Sequence, residues 1–219
     1  MISTFDTRGK ALIAVSVAAA VAFYVMRSAD PMPLALIVLK GAGVDTLALL
    51  ALLYGPGRNG ALLAIIMALG ALGDMLIEID VIAGAAAFLI GHLFAVVLYL
   101  GFRRDRLTTS QIALALVILV TIPFAGWSLP AERASAPMVT VYALALGLMA
   151  AAAWTSRFSR YSVGIGAVLF VLSDLLIFAK GGPLAESALP HLLIWPLYYA
   201  GQLMICLGVL SLLRRESVR

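Results

Sequence analysis

The chain is a succession of apolar runs, each near twenty residues long, and this feature limits the folds open to it. About 20 apolar residues are enough to cross a hydrocarbon core of roughly 30 Å as a helix. Short turns with glycine, proline and charged residues separate the runs, so no stretch remains for a soluble domain. We predict about eight spans, at residues 11–26, 33–54, 61–79, 82–102, 111–127, 137–154, 162–179 and 189–213.

The composition is that of an integral membrane protein. Hydrophobic residues make up 63% of the chain and charged residues only 12%, which is outside the range of soluble domains. A membrane β-barrel would show ten-residue segments of alternating polarity, whereas these runs are apolar all round. We therefore predict an all-α, polytopic membrane helical bundle that forms a single domain over residues 1–219.

The first run has a second interpretation. Arg8 and Lys10 precede a short, alanine-rich apolar stretch, a pattern that a secretory signal peptide also shows. We interpret the run as a membrane span, because it is long for a signal peptide and the duplication described below needs this helix.

Basic residues predict the orientation in the membrane. When the loops are taken alternately from the N-terminus, eleven basic residues fall on one side and three on the other. The positive-inside rule then places both termini in the cytoplasm, and a bacterial inner membrane fits best. This topology accounts for the net charge of +4 without a nucleic-acid partner. The eleven are Arg8, Lys10, Arg58, Arg103, Arg104, Arg106, Arg157, Arg160, Arg214, Arg215 and Arg219, and the three are Arg27, Arg133 and Lys180.

Two aspartates lie deep inside apolar runs, and their surroundings repeat at an offset of one hundred residues. An ionisable residue at such depth is costly, so a functional role is its default interpretation. The duplication predicts two parallel four-helix repeats, approximately 1–106 and 107–219, related by an axis along the membrane normal. Asp74 and Asp174 would then lie at similar depth and face each other across the bundle. The matching positions are Leu69, Leu72, Asp74, Leu76 and Ile77 with Leu169, Leu172, Asp174, Leu176 and Ile177.

Further polar side chains are predicted in the outer half of the bundle. Lys40 and Tyr142 each lie roughly 8–10 Å below the start of their helix, at 1.5 Å per residue. Each of these side chains also has a purely structural interpretation: a lysine can snorkel outward, and histidine or glutamine can bond a neighbouring helix. The others, on the fourth and eighth helices, are His92, Tyr198, Tyr199 and Gln202.

The remaining polar residues carry less weight. Glu78 and Asp80 end the third span and are expected to reach interfacial water, although Glu78 shares a face with Asp74 at the i, i+4 spacing. Asp45, near the middle of the second span, has no assigned role. The single Cys206 provides neither a disulfide nor a thiolate metal site. GxSxG, HExxH and P-loop motifs are absent from the sequence, which argues against a serine lipase, a zinc protease or a nucleotide-driven pump.

Short motifs extend over nearly the whole chain: Lys40, Leu-Gly-Asp at 72–74, Gly-His at 91–92, Leu-Ser-Asp at 172–174 and Tyr-Tyr-Ala-Gly-Gln at 198–202. In these motifs the chain resembles the YhhN family of membrane lysoplasmalogenases. The resemblance implies hydrolysis of the vinyl-ether bond of a lysoplasmalogen to a fatty aldehyde and a glycerophospho-base, with two catalytic aspartates. Glycine and alanine at residues 41–43 depart from the Pro and Thr that often follow the family lysine, which leaves the headgroup open.

The implied chemistry suits a pair of carboxyls. Vinyl-ether hydrolysis needs a proton at the alkene carbon, stabilisation of the resulting oxocarbenium ion and an activated water. Of Asp74 and Asp174, one would act protonated as the acid and the other ionised as the base, in either assignment. Lys40 would offset negative charge or bind the lipid phosphate, and the scheme needs no metal or other cofactor. The side chains expected to orient water or headgroup are Tyr142, Tyr199, His92 and Gln202.

Two other functions remain open at this stage. Parallel repeats with paired acids and a lysine also describe proton-coupled transporters. A transporter is expected to have unwound helices at corresponding positions of both halves, and residues 41–43 have no clear counterpart in the sixth helix. A structural or regulatory membrane subunit would tolerate asparagine in place of either aspartate.

Overall fold

The computed structural model describes residues 2, 5–28 and 32–217; Arg219, which contributed to the predicted topology, lies outside them. Over this part of the chain it contains eight α-helices and no β-strand, so the predicted all-α bundle is confirmed. All eight are long and apolar enough to cross a membrane, the seventh together with the π-helical turn that precedes it. The helices are α1 (Thr7–Met26), α2 (Leu34–Tyr54), α3 (Gly57–Leu76), α4 (Val81–Gly101), α5 (Thr109–Ser128), α6 (Ala136–Thr155), α7 (Ile165–Lys180) and α8 (Leu189–Ser217), and a π-helical turn, Arg160–Gly164, leads into α7.

Aspartate side chains mark the beginnings of two helices. Oδ1 of Asp6 accepts a hydrogen bond from the Gly9 N–H at 2.9 Å, so Asp6 is the N-cap of α1. Oδ1 of Asp80 accepts from the N–H groups of Ile82 and Ala83 at 2.8 and 3.0 Å. Asp80, which the sequence only placed at the membrane interface, therefore caps α4.

A tight turn joins α2 to α3. The Gly55 N–H donates to the Ala51 carbonyl at 2.8 Å and closes α2. Gly57 then takes a positive φ of 56°, which favours glycine. One turn later, a side chain at Gly60 would collide with the Gly55 backbone. The two helices are therefore held close together at this end by glycine.

The described residues form two compact units. One consists of the described residues within Met1–Leu98 and Cys206–Arg219, and the other is Tyr99–Ile205. In each unit, the second of three consecutive helices packs against the one before and the one after it: α2 between α1 and α3, and α6 between α5 and α7. A duplicated unit would produce this order; the single domain and the repeat halves 1–106 and 107–219 stay predictions.

Helix α2 is central to the first unit. It continues without a break through residues 41–43, where small residues permit close packing. A Cβ at Gly41 would lie 2.7 Å from Cγ of Met75 in α3. On the side facing α1, the Ser16 hydroxyl donates to the Gly43 carbonyl at 2.5 Å. The fully buried side chains of α2 include Val44, Leu47 and Leu50.

In the second unit, α7 and α8 approach each other at a pair of glycines. A Cβ at Gly166 would lie 2.9 Å from the Gly201 carbonyl oxygen, and a Cβ at Gly201 would lie 2.7 Å from the Gly166 carbonyl oxygen. Next to this contact, the Phe170 ring meets Tyr198 edge to face, with 5.1 Å between centroids. The glycine contact thus sets the position of the α8 tyrosines relative to α7.

Candidate functional site

Asp74 lies in the last turn of α3 and is buried in the first unit, with only 2% of its surface exposed. The residue before it determines how closely α4 approaches. A Cβ at Gly73 would lie 2.8 Å from the Phe88 ring, so α4 crosses α3 directly beside Asp74. His92, one turn further along α4, is also buried. Asp74 and His92 thus lie on two helices that pack against each other.

Lys40 forms an ion pair with Glu78. Nζ of Lys40 in α2 lies 2.5 Å from Oε1 of Glu78, which follows the end of α3. The two side chains are 12% and 27% exposed, so the pair lies at the edge of the unit rather than in its core. The Phe23 ring of α1 lies 5.7 Å from Nζ of Lys40 and covers it on another side.

Glu78 carries little weight in the sequence, but in the structure it is an ionic partner of Lys40, a predicted site residue. The sequence contains one local indication of a role for Glu78: it follows Asp74 by four residues, the spacing that places two side chains on one face of a helix. Its pairing with Lys40, which is 38 residues away, depends on how α2 and α3 pack. No local pattern could have supplied it.

Asp174 is the buried carboxyl of the second unit, with 4% of its surface exposed. The Tyr142 hydroxyl in α6 donates a hydrogen bond of 2.7 Å to Oδ2 of Asp174 in α7. The structure thus brings two of the predicted site residues into direct contact. A hydroxyl donor at this distance holds the carboxyl group in one orientation.

Ser173, beside Asp174, links α7 to α8. Its hydroxyl donates to the Ile194 carbonyl at 2.9 Å. At the matching position of the predicted repeat, Gly73 instead accommodates the Phe88 ring. Ser173 was part of a motif in the sequence, but its bond to α8 was not predicted.

The predicted site residues of α8 form a polar and aromatic group. Nε2 of Gln202 donates to the Tyr198 hydroxyl at 3.2 Å, and both residues are buried. Trp195 packs against Tyr198 at 5.6 Å and stacks on Tyr199 at 6.2 Å between ring centroids. Trp195 was not predicted as a site residue, because a tryptophan within an apolar run carries no sequence signal of these contacts. Among the residues that the structure describes, no three His, Cys, Asp or Glu side chains are grouped to hold a metal ion.

These features define a class of protein: a polytopic integral membrane protein with carboxyls buried inside the helices of its bundle. Buried carboxyls at such positions are candidate functional groups by default. The chain belongs to the YhhN family, whose sequence model matches residues 35–209. That range contains every predicted site residue, from Lys40 to Gln202.

Two curated proteins are similar to the chain. They are lysoplasmalogenases of Mycobacterium bovis and Mycobacterium tuberculosis, each 31% identical over 180 residues. The similarity covers 77% of this chain and 68% of each relative. No solved structure matches the chain significantly.

Proposed function

We propose that the protein is a membrane-embedded lysoplasmalogenase, which hydrolyses the vinyl-ether bond of lysoplasmenylethanolamine or lysoplasmenylcholine. The products are a fatty aldehyde and glycerophosphoethanolamine or glycerophosphocholine. The observation that carries the proposal is the 31% identity to two proteins named lysoplasmalogenase over 77% of the chain. The buried carboxyls Asp74 and Asp174 give the proposal its chemistry.

The reaction consumes one water and needs proton transfers at four points. A proton adds to the alkene carbon further from the ether oxygen, and the other alkene carbon becomes part of an oxocarbenium ion. Water adds to that carbon and loses a proton, which gives a hemiacetal. The hemiacetal then breaks its bond to the glycerol oxygen, which takes up a proton, while the hemiacetal hydroxyl loses its proton and the carbon becomes the aldehyde.

We assign these steps to Asp74 and Asp174. One carboxyl, in its acid form, supplies the proton, and the other, ionised, stabilises the cation and accepts the proton from water. Either residue fits either role, and the scheme requires both to act on one substrate molecule. Tyr142 supports the assignment of Asp174, because its hydrogen bond to Oδ2 presents the carboxyl group in a set orientation.

The other predicted site residues would bind the substrate. Lys40 would attract the lipid phosphate as a point charge. An amphiphilic substrate suits a site in the membrane, since its chain can stay among lipid tails while the ether reaches polar groups. The scheme uses no metal or cofactor. The residues proposed to orient water or headgroup are His92, Tyr198, Tyr199 and Gln202.

Aldehyde release from a lysoplasmalogen by the purified protein tests the proposal. Asp74→Asn and Asp174→Asn preserve size and hydrogen bonding but cannot transfer a proton, so we expect each to abolish release. Asp105→Asn is the matched control, because Asp105 is exposed in the α4–α5 loop. Full activity in either buried variant would remove that aspartate from the mechanism. If folded wild-type protein releases no aldehyde, the result would favour a different lipid substrate or the alternative function of a proton-coupled transporter.

We further propose that the protein resides in a bacterial inner membrane with both termini in the cytoplasm. The distribution of basic residues over alternate loops supports this orientation. Cysteine introduced at Asp105 or Glu132, which are exposed in successive loops, tests it with a membrane-impermeant maleimide. In intact cells only the Glu132→Cys variant should react, and the native Cys206 is buried. Labelling of Asp105→Cys alone would reverse the orientation.

A further inference from the structure

The ion pair between Lys40 and Glu78 has a feature that the catalytic scheme does not use. The scheme assigns the phosphate to Lys40 and leaves Glu78 without a role. Yet Oε1 of Glu78 lies 2.5 Å from Nζ of Lys40, and the two side chains remain partly exposed, at 27% and 12% respectively. A ligand that offers each of these charges a new partner can therefore replace the pair.

The turn that carries Glu78 is held rigidly. A Cβ at Gly84 in α4 would lie 2.6 Å from the Ile77 backbone nitrogen, so α4 packs directly against this turn. Asp80 is bound to the first turn of α4 through Ile82 and Ala83. Of the two carboxylates in this turn, Asp80 is therefore committed to a helix cap, whereas Glu78 faces a cation.

The pair lies at the depth of a lipid headgroup. Lys40 is six residues into α2, about 9 Å from the helix start at 1.5 Å per residue, and Glu78 lies just beyond the end of α3. A 20-residue helix covers about 30 Å, the thickness of the hydrocarbon core. Glu78 therefore lies near the level at which the phosphate and amine of a phospholipid meet the apolar chains, and the ion pair holds Nζ of Lys40 at the same level.

We propose that Lys40 and Glu78 together form the recognition site for a zwitterionic lysophospholipid headgroup, with the phosphate bound by Lys40 and the cationic amine by Glu78. The inference rests on the proposed function and adds the residue that binds the amine of the headgroup. When a zwitterionic headgroup binds, the Lys40–Glu78 pair is replaced by two ion pairs, one between the phosphate and Lys40 and one between the amine and Glu78. An anionic headgroup would occupy Lys40 and leave the Glu78 carboxylate facing a like charge, which disfavours it.

The first test compares substrates in variants of the pair. We expect wild-type protein to prefer an ethanolamine lysoplasmalogen over one with an uncharged glycerol on its phosphate. Glu78→Gln should reduce the ratio of kcat/KM values by about three- to tenfold, chiefly through KM, since a charge-assisted bond is lost. Asp80→Asn is the matched control: it also removes one negative charge, and asparagine caps a helix equally well. An unchanged ratio in Glu78→Gln would overturn the inference.

The double variant Lys40→Glu, Glu78→Lys separates recognition from stability. It keeps an ion pair between α2 and the turn after α3, so thermal stability should stay near the wild-type value. The reversed charges place the phosphate and amine in the wrong order, so kcat/KM for the ethanolamine substrate should fall at least as far as in Glu78→Gln. Wild-type kcat/KM in this variant would show that the pair is only structural.

A binding measurement distinguishes failure of the inference from failure of the proposed function. Fluorescent lysophosphatidylethanolamine and lysophosphatidylglycerol, whose ester bonds replace the vinyl ether, are titrated onto wild-type and Glu78→Gln protein in detergent. Loss of the ethanolamine preference in Glu78→Gln supports the site even if no aldehyde is released. If wild type releases aldehyde, but wild type and Glu78→Gln each bind the ethanolamine and glycerol lipids equally well, the headgroup site is contradicted while the proposed function stands.

Discussion

The Tyr142 hydroxyl in α6 donates a 2.7 Å hydrogen bond to Oδ2 of Asp174 in α7, and the ring of Tyr142 meets Phe178 edge to face at 5.9 Å. Asp174 and Phe178 are four residues apart and therefore lie on one face of α7. Asp174 therefore binds the hydroxyl end of Tyr142, and Phe178 packs against its ring. Through this hydrogen bond, α6 fixes the orientation of the buried Asp174 carboxyl group.

Tyr142→Phe tests that influence. The variant keeps the ring against Phe178 and removes only the donor to Asp174, so folding should be preserved. A hydrogen bond to a charged group is worth about 1.5–3 kcal/mol, and we expect kcat for aldehyde release to fall about tenfold or more while KM changes little. Tyr161→Phe is the control, because Tyr161 is 80% exposed. A wild-type kcat in Tyr142→Phe would show that the bond serves packing alone.

Gly166→Ala tests the glycine contact between α7 and α8. The new methyl group would lie 2.9 Å from the Gly201 carbonyl oxygen, which forces the helices apart. Overpacking of this kind costs typically about 1–3 kcal/mol, so the thermal unfolding temperature in detergent should fall. Gly181→Ala is the control, because a Cβ there meets no atom within 4 Å. Equal unfolding temperatures for Gly166→Ala and wild type would mean that α7 and α8 separate without strain.

The lowered pKa of Asp6 predicts that the stability of the protein depends on pH. The hydrogen bond from the Tyr54 hydroxyl, and then that from the Gly9 N–H, lower the pKa of Asp6 from its ordinary value. A folded-state pKa below the unfolded one adds stability above the unfolded pKa, and this stability is lost as the pH falls through the folded pKa. Wild type should therefore unfold at a higher temperature than Asp6→Asn at pH 7, and the difference should shrink as the pH falls below ~4 and vanish below the lowered pKa of Asp6. A difference that persists in acid would refute a charge-dependent contribution from Asp6.

Asp45 is an exposed charge in the middle of a membrane-length helix. Its side chain makes no hydrogen bond or ion pair with any residue that the structure describes, and it lies about 13 Å or more from either end of α2. A charged side chain at mid-membrane costs about 2.5–3.5 kcal/mol, so Asp45→Leu should raise the thermal stability in lipid nanodiscs. Asp45→Asn should have a smaller effect of the same sign. A loss of stability in Asp45→Leu would instead reveal a binding partner for this carboxyl.

The sequence by itself determined the class of protein and most of the secondary structure. Hydrophobicity and length are local properties, so the eight spans were predicted with boundaries within a few residues of the observed helices. The π-helical turn Arg160–Gly164 was not predicted, because hydrophobicity and length do not distinguish a π-helical turn from an α-helical one. Asp74 and Asp174 stood out without a structure, because a buried charge is conspicuous in an apolar run.

Only the tertiary structure decided which side chains meet. The partner of Lys40 is Glu78 and that of Tyr142 is Asp174, and these pairs are separated by 38 and 32 residues. Helices that are apolar all round carry no periodic signal that fixes their rotation. Rotation and depth are set instead by close contacts between particular helices, such as Gly73 with Phe88 in one unit and Gly166 with Gly201 in the other. A sequence shows which residues are costly to bury, whereas packing determines which partners make that burial favourable.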